Sequence, residues 1–113
     1  MFSFLKKLGT STPSIDIVEL ESRMAAGEVR LIDVREESEF RRGHVPGAVN
    51  IPKGRLAGRV ATLKRDRPYA VICASGSRSI GATDLLLAEG FEGAVSVRGG
   101  TSAWARSGRA VVR

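Results

Sequence analysis

The residues that most constrain the fold are the four apolar ones at positions 69–72. They follow a turn-forming segment at 65–68 and are followed at once by small residues, which is typical of a short strand buried on both faces. Three more short apolar runs lie near residues 29–33, 48–51 and 94–97 and alternate with segments of helical spacing. This alternation predicts an α/β domain of three layers, with a mainly parallel central sheet and helices on both faces.

The predicted helices lie before the first of these strands, between them and after the last one. They are expected near residues 18–25, 36–42, 54–63, 79–89 and 101–106. A chain of 113 residues suits one domain, which we place at residues 14–113. Residues 1–13 are predicted to form an N-terminal tail and linker, with a loop over residues 9–14.

Composition narrows the classes of function. The net charge is +6, but the positive residues are spread along the chain and no nucleic-acid-binding signature is present, so nucleic acid is not the expected partner. The apolar stretch at the amino end is too short for a signal peptide or a membrane span. We therefore expect a cytoplasmic protein, in which a free thiol stays reduced.

Cys73 is the single cysteine, so an internal disulfide and any multi-cysteine metal site are excluded. A lone cysteine is most often a small buried apolar residue. Here it ends the strongest predicted strand and is followed by small residues, a glycine and a helix. Backbone N–H groups of such a loop and the helix amino end point at one spot and stabilise an anion, so Cys73 is predicted to be a nucleophilic thiolate.

The loop of residues 73–78 favours one of two chemistries that use a cysteine in such a setting. Arg78 adds a fixed positive charge, and Ser79 follows it. Protein tyrosine phosphatases place five residues between cysteine and arginine, whereas four separate Cys73 from Arg78. The shorter loop is expected to be too small for a phosphoryl group, which favours transfer of a single sulfur atom.

At this point the sequence strongly resembles the single-domain rhodanese-like family, the thiosulfate sulfurtransferase-like proteins. The resemblance covers roughly residues 14–108 and rests on three segments in the expected order. These are LIDVR (31–35) continuing through Glu39-Phe40 to GHVPGAVNIP (43–52), then CASGSRS (73–79) with Gly90-Phe91, and finally VRGGTSAW (97–104).

The resemblance implies a rhodanese-like fold, a function and a site. Cys73 would accept a sulfur atom from a donor such as thiosulfate, become a persulfide, and pass the sulfur to cyanide or a thiol without a metal or other cofactor. The backbone of the loop residues would bind the transferred sulfur and the leaving sulfite; those residues are Ala74, Ser75, Gly76, Ser77 and Arg78. The alternative is a persulfide carrier or interaction module that relays sulfur between protein partners.

Residues at the ends of other strands have structural and functional interpretations. In a parallel sheet the strand ends meet at one edge, which gathers Asp33, Arg35 and Arg98 near Cys73 as supporting residues. Asp33 either accepts hydrogen bonds from the cysteine loop or caps a helix. Arg35 either pairs with Glu39, four residues on, or faces the anion. His44 is interpreted as structural.

Overall fold

A central parallel sheet organises residues 12–113, which are the part of the chain that the computed structural model describes. Five strands in this part are hydrogen-bonded in the order β1-β5-β4-β2-β3, and every pair is parallel. The strands are β1 (Ser14–Ile15), β2 (Arg30–Asp33), β3 (Val49–Asn50), β4 (Tyr69–Ile72) and β5 (Val95–Val97). The predicted parallel α/β sheet is therefore confirmed.

Helices cover both faces of this sheet. They are α1 (Ile17–Ala25), α2 (Glu37–Arg42), α3 (Lys53–Arg59), α4 (Arg78–Ala88) and α5 (Gly100–Arg106), with a 3-10 turn at Val60–Thr62 after α3. Each helix that covers a face contributes an apolar side chain to one of two core clusters, because alternate residues of β2 and β4 point to opposite faces. Leu56 of α3 and Leu86 of α4 join one cluster, while Leu20 of α1 and Trp104 of α5 join the other.

The central strand β4 explains why one run of residues constrained the fold so strongly. All four of its residues are buried, and it pairs with β2 on one side and β5 on the other. Since all strands are parallel, their carboxyl ends lie at one edge of the sheet. Cys73 follows β4 directly, so it lies in the middle of that edge.

The helix bounds agree closely with the predicted ones, but β1 was not predicted. Residues 9–14 were expected to form a loop, whereas Ser14 belongs to β1 and pairs with Ser96 of β5. Strand β1 is not part of an apolar run, since Ile15 stands between Ser14 and Asp16, whereas the equally short β3 lies within the predicted run 48–51. The predicted tail at residues 1–11 lies outside the described residues. None of the helices within residues 12–113 has the length and apolar character to cross a bilayer.

Candidate active site

The cysteine loop lies between the end of β4 and the start of α4. Its turn depends on Gly76, whose φ of +104° is one that residues with a side chain rarely adopt. A Cβ placed on Gly76 would also lie 3.2 Å from the backbone nitrogen of Gly99. The positive φ and the close approach of Gly99 both require glycine here. In this conformation the amide of Gly76 points toward the cysteine.

Hydrogen-bond donors converge on the sulfur of Cys73. The backbone nitrogens of Gly76 and Ser79 lie 3.2 and 3.3 Å from Sγ, and Ser79 Oγ lies 3.5 Å from it. Burial by itself raises the pKa of the Cys73 thiol, but the bonds from Ser79, Gly76 and Ser75 outweigh it. The pKa therefore lies below its ordinary value, as expected for a thiol that ionises readily.

The loop is fixed from the other side by the amino end of α5. The backbone nitrogens of Thr101 and Ser102 donate to the carbonyls of Cys73 and Ala74, at 2.8 and 3.0 Å. This contact needs Gly100, because a Cβ there would lie 2.6 Å from the Ala74 carbonyl oxygen. The side chain of Cys73 is fully buried within this arrangement, whereas Ser75 and Ser77 form the exposed rim.

Arg78 is bound to a carboxylate and is not free beside the sulfur. Its Nη1 and Nη2 donate to Oε1 and Oε2 of Glu39 at 2.8 and 3.0 Å. This bidentate bond is the main reason that the pKa of Arg78 is raised, while the charge of Cys73 contributes less. The same bond lowers the pKa of Glu39 to about 2. The expected ion pair between Arg35 and Glu39 is wrong, because Arg78 takes that carboxylate.

Asp33 and Arg35 form a buried pair with each other. Arg35 donates to the Asp33 carboxylate through its backbone nitrogen, Nε and Nη2, at 2.8–3.1 Å. Its Nη2 also donates to the carbonyl of Gly43 at 2.8 Å. The expectation that the Asp33 carboxylate accepts bonds from the cysteine loop is not met, since Arg35 supplies these donors. The pair joins the end of β2 to the turn that follows α2.

Arg98 and His44, the other two residues interpreted from the sequence, make their side-chain hydrogen bonds to groups other than the sulfur. The Cα of Arg98 lies beside Gly76, but its guanidinium donates to Ser14 Oγ at 2.8 Å on the exposed surface. His44 lies in the turn after α2, where its Nδ1 donates to the carbonyl of Phe40 and its ring stacks on that side chain. This placement agrees with a structural role for His44.

Sequence reasoning missed three of the polar groups around the site. Glu39 was matched to the wrong arginine, and Ser79 was noted only as the residue that follows Arg78. Ser96 was not considered, although it lies 2.8 Å from Ser79 behind the sulfur. A lone serine in the apolar run of β5 was the available signal, since a buried hydroxyl needs a partner.

Within residues 12–113, no His, Cys, Asp and Glu side chains cluster as a metal site would require.

Comparison with known proteins identifies the domain. The profile of the rhodanese-like domain family matches residues 16–107. The chain belongs to the rhodanese-like domain family. The cysteine loop lies inside the matched region, as do the Asp33–Arg35 and Glu39–Arg78 pairs.

Similar proteins include sulfurtransferases. A protein of Allochromatium vinosum named sulfurtransferase is 35% identical over 99 residues, which are 87% of this chain and 92% of that protein. The crystal structure of a rhodanese-related protein from Thermoplasma volcanium superposes with a TM-score of 0.79 at 35% identity, covering 88% of this chain and 97% of that one. The human single-domain sulfurtransferase gives 0.74 at 31% identity, covering 83% and 96%.

Proposed function

We propose that this rhodanese-like domain is a sulfurtransferase that moves sulfane sulfur through a persulfide on Cys73. The observation that supports it best is the convergence of two backbone N–H groups on one sulfur atom, at 3.2 and 3.3 Å. Donors at this distance stabilise a thiolate before reaction and again when it leaves. The names of the similar sulfurtransferases support the same reaction.

The proposed reaction has two displacement steps at sulfur. The Cys73 thiolate attacks the outer sulfur of a small anionic donor such as thiosulfate; the S–S bond of the donor breaks, and sulfite leaves with the electron pair. An acceptor thiolate or cyanide then attacks the outer sulfur of the persulfide, and Cys73 leaves as a thiolate. The covalent intermediate supplies the chemistry, so the reaction needs no metal or organic cofactor.

A persulfide carrier that receives sulfur from a protein partner is the second candidate. One observation favours it: two arginines near the loop are bound by carboxylates, Arg35 by Asp33 and Arg78 by Glu39. Ala74 and Ser75 are neutral as well, so a small anionic donor finds little unpaired charge in the loop itself. A donor protein would bind through its own surface and would not need that charge.

Intact-mass spectrometry tests both candidates. Incubation with thiosulfate should add about 32 Da, one sulfur atom, and cyanide or a thiol should remove it. Cys73→Ser should show no addition while keeping the circular dichroism of the wild type. If the wild type gains sulfur only from a persulfidated donor protein, the carrier is the correct function. Equal addition to Cys73→Ser would rule out both.

A further inference from the structure

Two buried serine hydroxyls lie in line behind the sulfur of Cys73. Ser79 Oγ lies 3.5 Å from Sγ, and Ser96 Oγ lies 2.8 Å from Ser79 Oγ. Ser79 is fully buried and Ser96 is 2% exposed. Ser79 belongs to the first turn of α4 and Ser96 to β5, so the line joins two elements that flank the cysteine loop.

Ser96 is the unexpected member of this line. It occupies the middle of β5 between Val95 and Val97, and the whole strand is buried. A hydroxyl buried among apolar side chains destabilises the fold unless it is hydrogen-bonded. The bond to Ser79 is the one that the Ser96 side chain makes within the described residues.

We propose that Ser96 is a positioning residue for sulfur transfer, which orients the Ser79 hydroxyl so that it donates to Cys73 whenever the sulfur is negatively charged. The proposal rests on the proposed role of Cys73 as the reacting group. It assigns Ser96 no contact with substrate, because its effect on the sulfur passes through Ser79.

The pair satisfies the sulfur in both of its protonation states. In the thiol, S–H donates to Ser79 Oγ and the Ser79 hydroxyl donates to Ser96 Oγ. In the thiolate, the Ser79 hydroxyl donates to Sγ, and the Ser96 hydroxyl supplies the hydrogen bond that Ser79 Oγ then accepts. Only the hydroxyl hydrogens rotate; the thiol proton leaves to a base outside the pair, and no bond of either serine breaks. A hydroxyl can fill both roles because it is donor and acceptor at once.

This arrangement assists both half-reactions. In the first, a stabilised thiolate is present at neutral pH to attack the donor. In the second, Cys73 is the leaving group, and a thiolate that is stabilised as it forms leaves faster. Hydrogen bonds to a charged group are stronger than neutral ones, and polarisation by a second hydroxyl strengthens the first.

Direct titration of Cys73 tests the proposal without depending on catalysis. Thiolate absorbance in the ultraviolet is followed against pH, and the spectrum of Cys73→Ser is subtracted at each point. Since the chain has one cysteine, the difference reports Cys73 alone. Ser79→Ala should raise the pKa by roughly one unit and Ser96→Ala by roughly half a unit.

The double variant decides whether Ser96 acts through Ser79. In the Ser79→Ala background, adding Ser96→Ala should leave the pKa of Cys73 unchanged, because the hydroxyl that Ser96 orients is gone. A purely structural role for Ser96 would shift the pKa equally in both backgrounds. Ser96→Thr, which keeps the hydroxyl, should restore a pKa close to that of the wild type.

Thr83 provides a matched control. It lies one turn after Ser79 on α4, is fully buried, and its hydroxyl has no hydrogen-bond partner in the described structure. Thr83→Val should therefore leave the Cys73 titration unchanged. An unchanged pKa in Ser96→Ala, or an equal rise in both backgrounds, would overturn the proposal. Either result would leave the persulfide reaction intact, because sulfur addition is measured separately by mass.

Discussion

Two groups of donors surround the cysteine loop, and they differ in what they bind. On the amide side, the N–H groups of Gly76 and Ser79 point at Sγ. On the arginine side, the guanidinium groups of Arg35 and Arg78 are bound by Asp33 and Glu39. The sulfur is thus stabilised by the Ser79 hydroxyl and by backbone N–H groups, although two full positive charges lie nearby.

The difference assigns separate tasks to the two sides. The amide side is set by the loop conformation and acts on the ionisation of Cys73. The arginine side connects distant elements: Arg35 joins β2 to the turn at Gly43, and Glu39 joins α2 to the start of α4 at Arg78. Variants on the arginine side should therefore change the free energy of unfolding more than the ionisation of Cys73. Variants on the amide side should change the ionisation of Cys73 more than the free energy of unfolding.

Asp33→Ala should have the largest effect and should break the arginine side. It leaves the buried guanidinium of Arg35 without its carboxylate, which typically costs about 3–5 kcal/mol of unfolding free energy. Urea denaturation measures the loss. Glu37→Ala is the control, since the Glu37–Arg41 pair is exposed and should contribute less than about 1 kcal/mol. A similar loss in both variants would contradict a special role for the buried pair.

Gly76→Ala should have the next largest effect and should break the amide side. A side chain at φ +104°, 3.2 Å from the Gly99 nitrogen, forces the loop to move and takes an amide away from Sγ. We expect the pKa of Cys73 to rise by roughly one unit, and thiolate at neutral pH to fall up to about tenfold. Ultraviolet titration measures the change.

Gly58→Ala is the matched control for this glycine variant. Gly58 lies in α3 without a positive φ, and a Cβ added there would point into open space with no neighbouring atom within 4 Å. Alanine at this position should stabilise the helix by up to about 1 kcal/mol and leave Cys73 unaffected. If the two substitutions changed the thiol equally, the position of the Gly76 amide would not control its ionisation.

Glu39→Gln should have the smallest effect and should sharpen the comparison through pH. Glu39 has a pKa of about 2 in the folded chain, against about 4.3 in an unfolded one. The unfolded state therefore binds the proton first, and the stability due to Glu39 is lost as the pH falls from about 5 to about 2.

The substitution should flatten that part of the pH–stability curve. The change should stay below about 1 kcal/mol, because the Arg78 side chain is 37% exposed and solvent screens the pair. Urea midpoints at several acidic pH values give the slopes for the wild type and the variant. Parallel slopes would mean that Arg78 does not hold Glu39 ionised.

The fold was predictable wherever an element lies in a local run of apolar residues or ends at a glycine that stops a helix. Strand β4 was predicted at its exact bounds, and α2 and α4 within a residue, because apolar spacing and glycine stops are local signals. Strand β1 was not predicted, because Ile15 stands between Ser14 and Asp16 and belongs to no apolar run, whereas the equally short β3 lies within the predicted run 48–51. Its place is decided by β5, some 80 residues away in the chain, through the Ser14–Ser96 pairing.

The site was predictable in its backbone and less so in its side-chain pairing. A cysteine after a buried strand, followed by small residues and a helix, determines where N–H groups point. Which carboxylate an arginine binds depends on the three-dimensional distance between elements, so Arg78 with Glu39 was missed in favour of a pair four residues apart. Ser96 was missed because its partner, Ser79, lies on another element.

The complete burial of Cys73 also bears on resistance to oxidation. A thiolate that ionises easily is normally the first side chain that peroxide converts to sulfenic acid. Because Sγ is fully buried, we expect peroxide to react with it only when local movement of the loop exposes it, and a sulfur donor needs the same movement. The bonds from Thr101 and Ser102 to the loop carbonyls oppose such movement. We therefore expect the contacts that order the amides also to slow the oxidation of Cys73.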